Sequence, residues 1–392
     1  MLKITFRKNH IYLVFLFFSY FVRRIISIIL SKIFGFSTSI LFCFLMCLGQ
    51  IIGGSVVYCY QDSFLKKKTK KTSKNFSHHQ LVVRERKLKK ADGCFTIILL
   101  IFFASFFDLE EYFLTSVFIP KISKLSSTSS LRLCCIMTIT SSLICITAMK
   151  YKIGRHQILS LIILSIISFI IIILEFIYKP KDVPIGKYII SYLLLFFHFF
   201  FRSFTDVTEK YLGDYDFMNP FLIIMTEGII SFIETTIYSL FNDPFKEFSN
   251  VHKKTSTGEF VGFIFVLFTY LILCAFVNVY KILCNILYSP MTKSLSSYFL
   301  NSALIIYHYV YGNDFVVDEE KNLFFFLINL FFSILIDFFG LMYNEFFVLN
   351  FCGLSVETHD GISLRAKTLG MEMSLSIDLD SDVDINDIES EK

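Results

Sequence analysis

HQILSLIILSIISFIIIILEFIY, residues 156–178, decides the fold class. The stretch holds one acid, Glu175, and no Lys or Arg. About 20 such residues suffice to cross the hydrocarbon core of a bilayer as a helix. A helix is also the form that satisfies its own backbone polar groups in lipid, and the run is too continuous for a barrel strand. Nine further stretches read the same way: 11–30, 37–60, 94–119, 129–149, 187–211, 217–241, 259–280, 291–311 and 323–350. The expected architecture is all-α, a polytopic membrane helix bundle of ten transmembrane helices.

Composition agrees. Of 392 residues 55% are hydrophobic, 49 are Phe and only 18% are charged, too much apolar surface for a soluble fold to hide. A soluble enzyme, a secreted disulfide scaffold and a nucleic-acid reader are excluded. The ten cysteines lie mostly inside apolar runs without a C-x-x-C pair, and read as small packing residues.

The net charge of +4 conceals segregated blocks. Residues 61–92 hold eleven Lys/Arg against Asp62, Glu85 and Asp92, a balance of +8. Residues 371–392 hold eight acids against Lys392, a balance of −7. The basic block reads as a cytosolic loop facing anionic lipid. The acidic tail, 355–392, can bury little and is expected to be disordered. Lys3, Arg7 and Lys8, loop 61–92, and Lys150, Lys152 and Arg155 are separated by even numbers of spans, so they share one side. By the positive-inside rule that side is the cytosol, with both termini on it. The first span also fits a signal peptide. No small-x-small cleavage site follows, which favours an uncleaved span whose Arg23 and Arg24 snorkel to the lumenal surface.

Span starts 94, 129 and 156 recur at 259, 291 and 323, and 11 and 37 recur at 187 and 217. Pro120 and Pro290 close corresponding spans. Five spans followed by five, an odd unit, force two inverted five-helix repeats, residues 1–178 and 187–354, as in secondary transporters.

Three stretches resemble the drug/metabolite transporter superfamily, in particular its nucleotide-sugar-transporter-like (solute carrier family 35) branch. One is residues 108–175, from DLEEYF to IIIILE, with its Gly154-Arg155-His156-Gln157 helix start. The second is TDVTEKYLGDYDFMNPFLIIMTEGIISFIET, residues 205–235, with its E-K-Y-L, Pro and E-G elements. The third is LYSPMTKSLSSYFLNSALIIY, residues 287–307. The resemblance covers roughly 94–354 and is specific for no one substrate. It implies transport of nucleotide sugars or small organic metabolites across an endomembrane (Golgi, endoplasmic reticulum or lysosome).

A charge at mid-bilayer costs about 2.5–3.5 kcal/mol on insertion scales and usually faces the bundle interior. His198, Arg202 and Asp206 are four apart and stack on one helical face. Two roles fit: Arg202 as a fixed cation for an anionic substrate group with Asp206 as its resting partner, or a structural Arg–Asp pair. Glu209 and Lys210 read as interfacial. Asp108 and Glu111 share a face and could hold a proton between them, or pair with a neighbouring Lys or Arg. Glu227 and Glu234 share a face of the seventh span, and Glu227 is the best acid by resemblance. Asn278, Lys281 and Asn285 share a face of the eighth, with Lys281 read as snorkelling at the cytosolic mouth. The tenth holds Asp337, Asn344 and Glu345, and Glu175 reads as interfacial. Gly49, Gly53, Gly54 and Gly228 permit close helix approach. Thr138, Thr140, Ser141 and Ser142 either line a cavity or bond between helices.

No phosphate loop or H-E-x-x-H motif is present, so neither nucleotide hydrolysis nor a metal cofactor is expected. The reading is a secondary transporter of a small organic solute of anionic character, with no catalytic residues and a homodimer as the oligomer to test. The alternatives are a polytopic membrane enzyme and a non-transporting scaffold with a transporter fold.

Overall fold

A computed structural model describes residues 2–4, 11–36, 40–60, 94–114, 132–151, 153–177, 184–214, 216, 218–240, 246–311 and 323–349. The basic loop 61–92 and the acidic tail lie outside them. The fold is helical, apart from one small two-stranded sheet. The helices are α1 (Ile11–Phe34), α2 (Ile40–Tyr60), α3 (Cys94–Phe113), α4 (Cys135–Ala148), α5 (Arg155–Ile177) and α6 (Ile185–Asp214). They continue with α7 (Pro220–Ser239), the short α8 (Lys246–Lys254), α9 (Thr257–Leu287), α10 (Pro290–Tyr311) and α11 (Leu323–Tyr343).

Each of the ten apolar segments thus contains a helix. Seven are long and apolar enough to cross a membrane: α1, α2, α5, α6, α7, α9 and residues Phe326–Tyr343 of α11. The other three are the polar or short ones. Helix α3 carries Asp108, Glu110 and Glu111, α4 has 14 described residues, and α10 carries Lys293 with several Ser and one Asn. Hydropathy alone undercounts such helices because their polar side chains turn inward.

The exterior is apolar and the interior mixed, the reverse of a soluble protein. Phe169 and Phe265 are 64% and 71% exposed, with Phe18, Ile162, Phe197 and Phe331 also on the outside. Buried positions include Ser105, Thr138, Ser203, Thr205 and Asn285. Only a lipid environment accommodates such an apolar exterior. The chain is a multi-pass helical membrane protein.

Local chemistry sets several boundaries. The Asn219 side chain accepts from the Phe221 amide, and Pro220 opens α7 where a missing N–H costs nothing. Ser256 and Glu259 form a capping box that starts α9. That helix runs to Leu287, seven residues beyond the expected span, and Lys210 of α6 donates to its terminal carbonyls at Ile286 and Tyr288 (2.8 and 3.1 Å). Lys210 is therefore a buried cap and not an interfacial residue.

Helices α1 and α9 pack along one another, as do α3 and α6. Helix α4 lies against α6, α5 and α10; α1 against α10; α5 against α11; α10 against α11; and α3 against α7. Glycines let α2 into the bundle. A Cβ at Gly49 would sit 2.6 Å from Cys274 Cβ, and one at Gly53 would sit 2.9 Å from the Ala275 carbonyl, both on α9. Gly54 meets the Phe221 carbonyl, and Gly228 meets Gln50. These are the close approaches expected of the glycines.

Strand β1 (Leu2–Ile4) pairs antiparallel with β2 (Phe347–Leu349). His156 Nε2 lies 3.2 Å from Glu345 Oε1. These contacts bring residues 2–4, the start of α5 and the exit of α11 to the same end of the bundle.

Candidate substrate and coupling site

Among the described residues, two polar systems of the interior bear most directly on the candidate residues. The first is a charge network. Lys281 of α9 donates to Asp108 Oδ1 of α3 at 2.9 Å, and its ammonium lies 3.4 Å from Glu209 Oε1 of α6. Gln50 of α2 donates to the other Asp108 oxygen at 2.9 Å. Asn285 donates to Glu209 Oε2 (2.7 Å) and to the Asp206 carbonyl (2.6 Å). One turn before Glu209, the Asp206 carboxylate forms an ion pair with Lys293 of α10. All of these side chains are buried. A small cavity beside Asp108 is lined by Cys43, Cys47, Gln50 and Ser231 among others.

The second system is a basic pair on an aromatic ring. Arg202 of α6 donates to the Tyr20 hydroxyl at 3.0 Å, and its guanidinium lies 6.0 Å from that ring's centre. The Arg23 guanidinium lies 5.3 Å from the same ring, one turn along α1. Arg23 also bonds Cys274 and neighbours Tyr270, both on α9. Helix α1 continues ten residues past Arg24, so the arginines fall mid-helix. The expected reach of Arg23 to the lumenal surface is therefore corrected.

Sequence and structure differ at several named residues. Asp206 finds Lys293 as its ion-pair partner and not Arg202, because α10 runs beside α6 and brings Lys293 in at the level of Asp206. Lys281 is 6% exposed and ion-paired, so it does not snorkel; the longer α9 carries it two turns inside the helix end. Glu209 is fully buried in the network and is not interfacial. Glu175 is likewise buried, and Arg132 donates to it at 3.1 Å. Of the two roles open to Asp108, the structure shows the pairing with a neighbouring lysine. Its proposed companion Glu111 has a side chain outside the described residues.

His198 is buried against Phe199 one turn before Arg202. Asn278 donates to the Cys274 carbonyl of its own helix. Glu227 is fully buried, whereas Glu234 is half-buried and neighbours Glu110. Of the α4 hydroxyls, those of Thr138, Thr140 and Ser142 bond between helices. Thr138 meets Ser294 (2.5 Å) and Tyr298, Thr140 meets Ser203 (2.5 Å), and Ser142 meets Tyr343 (3.0 Å). Asp337 accepts from Ser302 at 2.5 Å, and Asn344 from Thr292 at 2.7 Å.

Lys293, Gln50 and Tyr20 were not legible as site residues. The signal for Lys293 was present: a lysine three residues inside an apolar span demands an acid. Nothing in sequence distinguishes Tyr20 from the other 19 tyrosines. No protein-family model matches the chain, and no curated protein is significantly similar to it.

Proposed function

We propose that the chain is a secondary transporter of an organic solute bearing an anionic group, working by alternating access between two five-helix halves. One observation carries this reading: Arg23 and Arg202, from different halves, converge on the Tyr20 ring. Both guanidiniums are partly buried and reach the same ring, and an anionic group held there would accept charge-assisted hydrogen bonds from them. Their planar forks match carboxylate or phosphate oxygens in pairs.

The packing supports inverted halves. If α1–α5 correspond in order to α6, α7, α9, α10 and α11, the α1–α9 contact maps onto α6–α3. By the same rule α4–α6 maps onto α10–α1, α4–α5 onto α10–α11, and α3–α7 onto the glycine contact of α9 with α2. The α5–α11 and α4–α10 contacts map onto themselves. Such swapped pairing is the expectation for a pseudo-two-fold axis in the membrane plane. The β1–β2 pairing supports an even number of spans. We assign that end to the cytosol from Lys3, Arg7, Lys8, Lys150, Lys152 and Arg155. The loop 61–92 would then lie over anionic lipid.

The resemblance to nucleotide-sugar transporters makes phosphate-bearing nucleotide sugars the first solutes to test, and an endomembrane the proposed location. Full-length protein in nanodiscs should be heated with UDP-glucose, GDP-mannose, UMP, uridine and leucine in turn. Stabilisation by the anionic members is expected, about 2.7 kcal/mol at a hundredfold excess over Kd. Stabilisation by uridine or leucine alone would contradict the reading.

A further inference from the structure

The charge network leaves one carboxylate over. Glu227 of α7 is fully buried, and neither of its side-chain oxygens has a hydrogen-bond partner among the described residues. Its charged neighbours are Glu209, Lys281, Asp108 and Asp206, three acids to one ammonium. That ammonium is already shared between Asp108 and Glu209, and Lys293 is taken by Asp206.

The helices packed near Glu227 bring polar groups of their own. From α2 come Gln50, already donating to Asp108, and Cys47, bonded to Thr235. From α3 comes Asp108, from α6 Asp206 and Glu209, and from α9 Lys281 and Asn285. On α7 itself Ser231 stands one turn away, at the wall of the cavity that Gln50 and Asp108 also line. Nearby Lys210 is occupied by Asp214 (3.3 Å) and two carbonyls. Asp108, Asp206, Glu209 and Glu227 share Lys281 and Lys293, and Arg202 also acts on Asp108, so even with all three cations counted one negative charge would remain uncompensated if all four carboxylates were ionised. Carboxylates crowded in low dielectric resist joint ionisation, and an unpaired buried charge is costly.

We propose that Glu227 is a proton-binding site. The carboxyl is protonated in the packed bundle and gives up its proton when the helices part and water reaches it through the cavity. No co-reactant is needed: the O–H bond breaks to water, and a carboxylate and a hydronium ion result. A proton fits better than a metal ion, because among the described residues no three His, Cys, Asp or Glu side chains are grouped as metal ligands. Resting on the transport reading above, this proton is the coupling ion that moves with an anionic solute and offsets its charge.

The test requires no solute, so its failure is separable from failure of the transport reading. Full-length protein in nanodiscs is titrated from pH 9 to pH 5 and followed by infrared difference spectroscopy at the carbonyl stretch of protonated carboxyls. A protonated-carboxyl band is expected that Glu227→Gln removes and Glu227→Asp shifts, distinct from the bands that Glu234→Gln and Asp337→Asn remove. Glu227→Gln copies the neutral form in shape and should melt at or above the wild-type temperature. A spectrum unchanged by Glu227→Gln would overturn the proposal. So would a Glu227→Gln protein that fails to fold while Glu227→Asp folds, since the site would then need a charge. Stabilisation of the wild type by sodium or potassium that Glu227→Gln abolishes would assign the site to a metal cation instead.

Discussion

Lys281 of α9 crosses the bundle to Asp108 of α3 at 2.9 Å, and the same ammonium reaches Glu209 of α6 at 3.4 Å. One residue thus ties three helices, drawn from both halves of the chain, at a buried point. Replacing Lys281 by Met leaves two carboxylates without their cation. Breaking a buried pair in this way costs about 3–5 kcal/mol. The thermal transition of Lys281→Met in detergent should fall sharply, and adding Asp108→Asn should recover part of the loss. An unchanged transition would mean the bridge is absent from the folded protein.

The partner of Asp206 is tested by a double-mutant cycle. Asp206→Asn and Lys293→Met should each destabilise, and together cost less than their sum, with a coupling of about 0.5–3 kcal/mol. The equivalent cycle of Asp206 with Arg202 should give a smaller coupling. Arg202 donates to Tyr20, whereas Lys293 holds the Asp206 carboxylate.

The ten segments were legible because apolar length is a property of each stretch alone. Their ends were not. The sequence placed Lys281 past a span end and Glu209 at an interface, because hydropathy falls where polar residues begin. In this fold those polar residues continue the helix inward-facing, and α9 and α6 run on through them. Arg202 and Asp206 share a helical face, but spacing cannot say which neighbour supplies a partner. Lys293 wins Asp206 through the packing of α10 on α6, a tertiary fact. Glu227 stood out in the sequence as a mid-span acid sharing a face with Glu234; its lack of a hydrogen-bond partner among the described residues appears once the lysines are seen to be spoken for.

Glycine packing gives a third prediction. Gly53→Val should destabilise by about 1–3 kcal/mol, because the new Cβ meets the Ala275 carbonyl at 2.9 Å and Val279 at 3.0 Å. Gly262→Ala, with nothing within 4 Å, should be neutral to slightly stabilising. Monodisperse yield and melting temperature in detergent report both; equal behaviour of the two variants would contradict the close α2–α9 approach.

Sidedness gives a fourth. Residues 2–4 pair with 347–349, so epitope tags at the two ends of the chain should be protected or cleaved together when sealed vesicles are treated with protease. Asn75, in the N-F-S sequon of loop 61–92, should carry no glycan, so glycosidase should shift the mass of neither the wild type nor Asn75→Gln. Tags on opposite sides would require an odd number of crossings.

Anion transport at the Arg23–Tyr20–Arg202 cluster is the central claim, and counterflow tests it most directly. Proteoliposomes of full-length protein, loaded with unlabelled nucleotide sugar, are given the labelled compound outside, for UDP-glucose and GDP-mannose in turn. The account predicts saturable exchange of at least one of them by the wild type, a large loss in Arg202→Gln reconstituted to the same density, and partial retention in Arg202→Lys, which keeps the charge but loses the bidentate fork. Exchange by Arg202→Gln at the wild-type rate, or no exchange of either anion above empty liposomes, would contradict it.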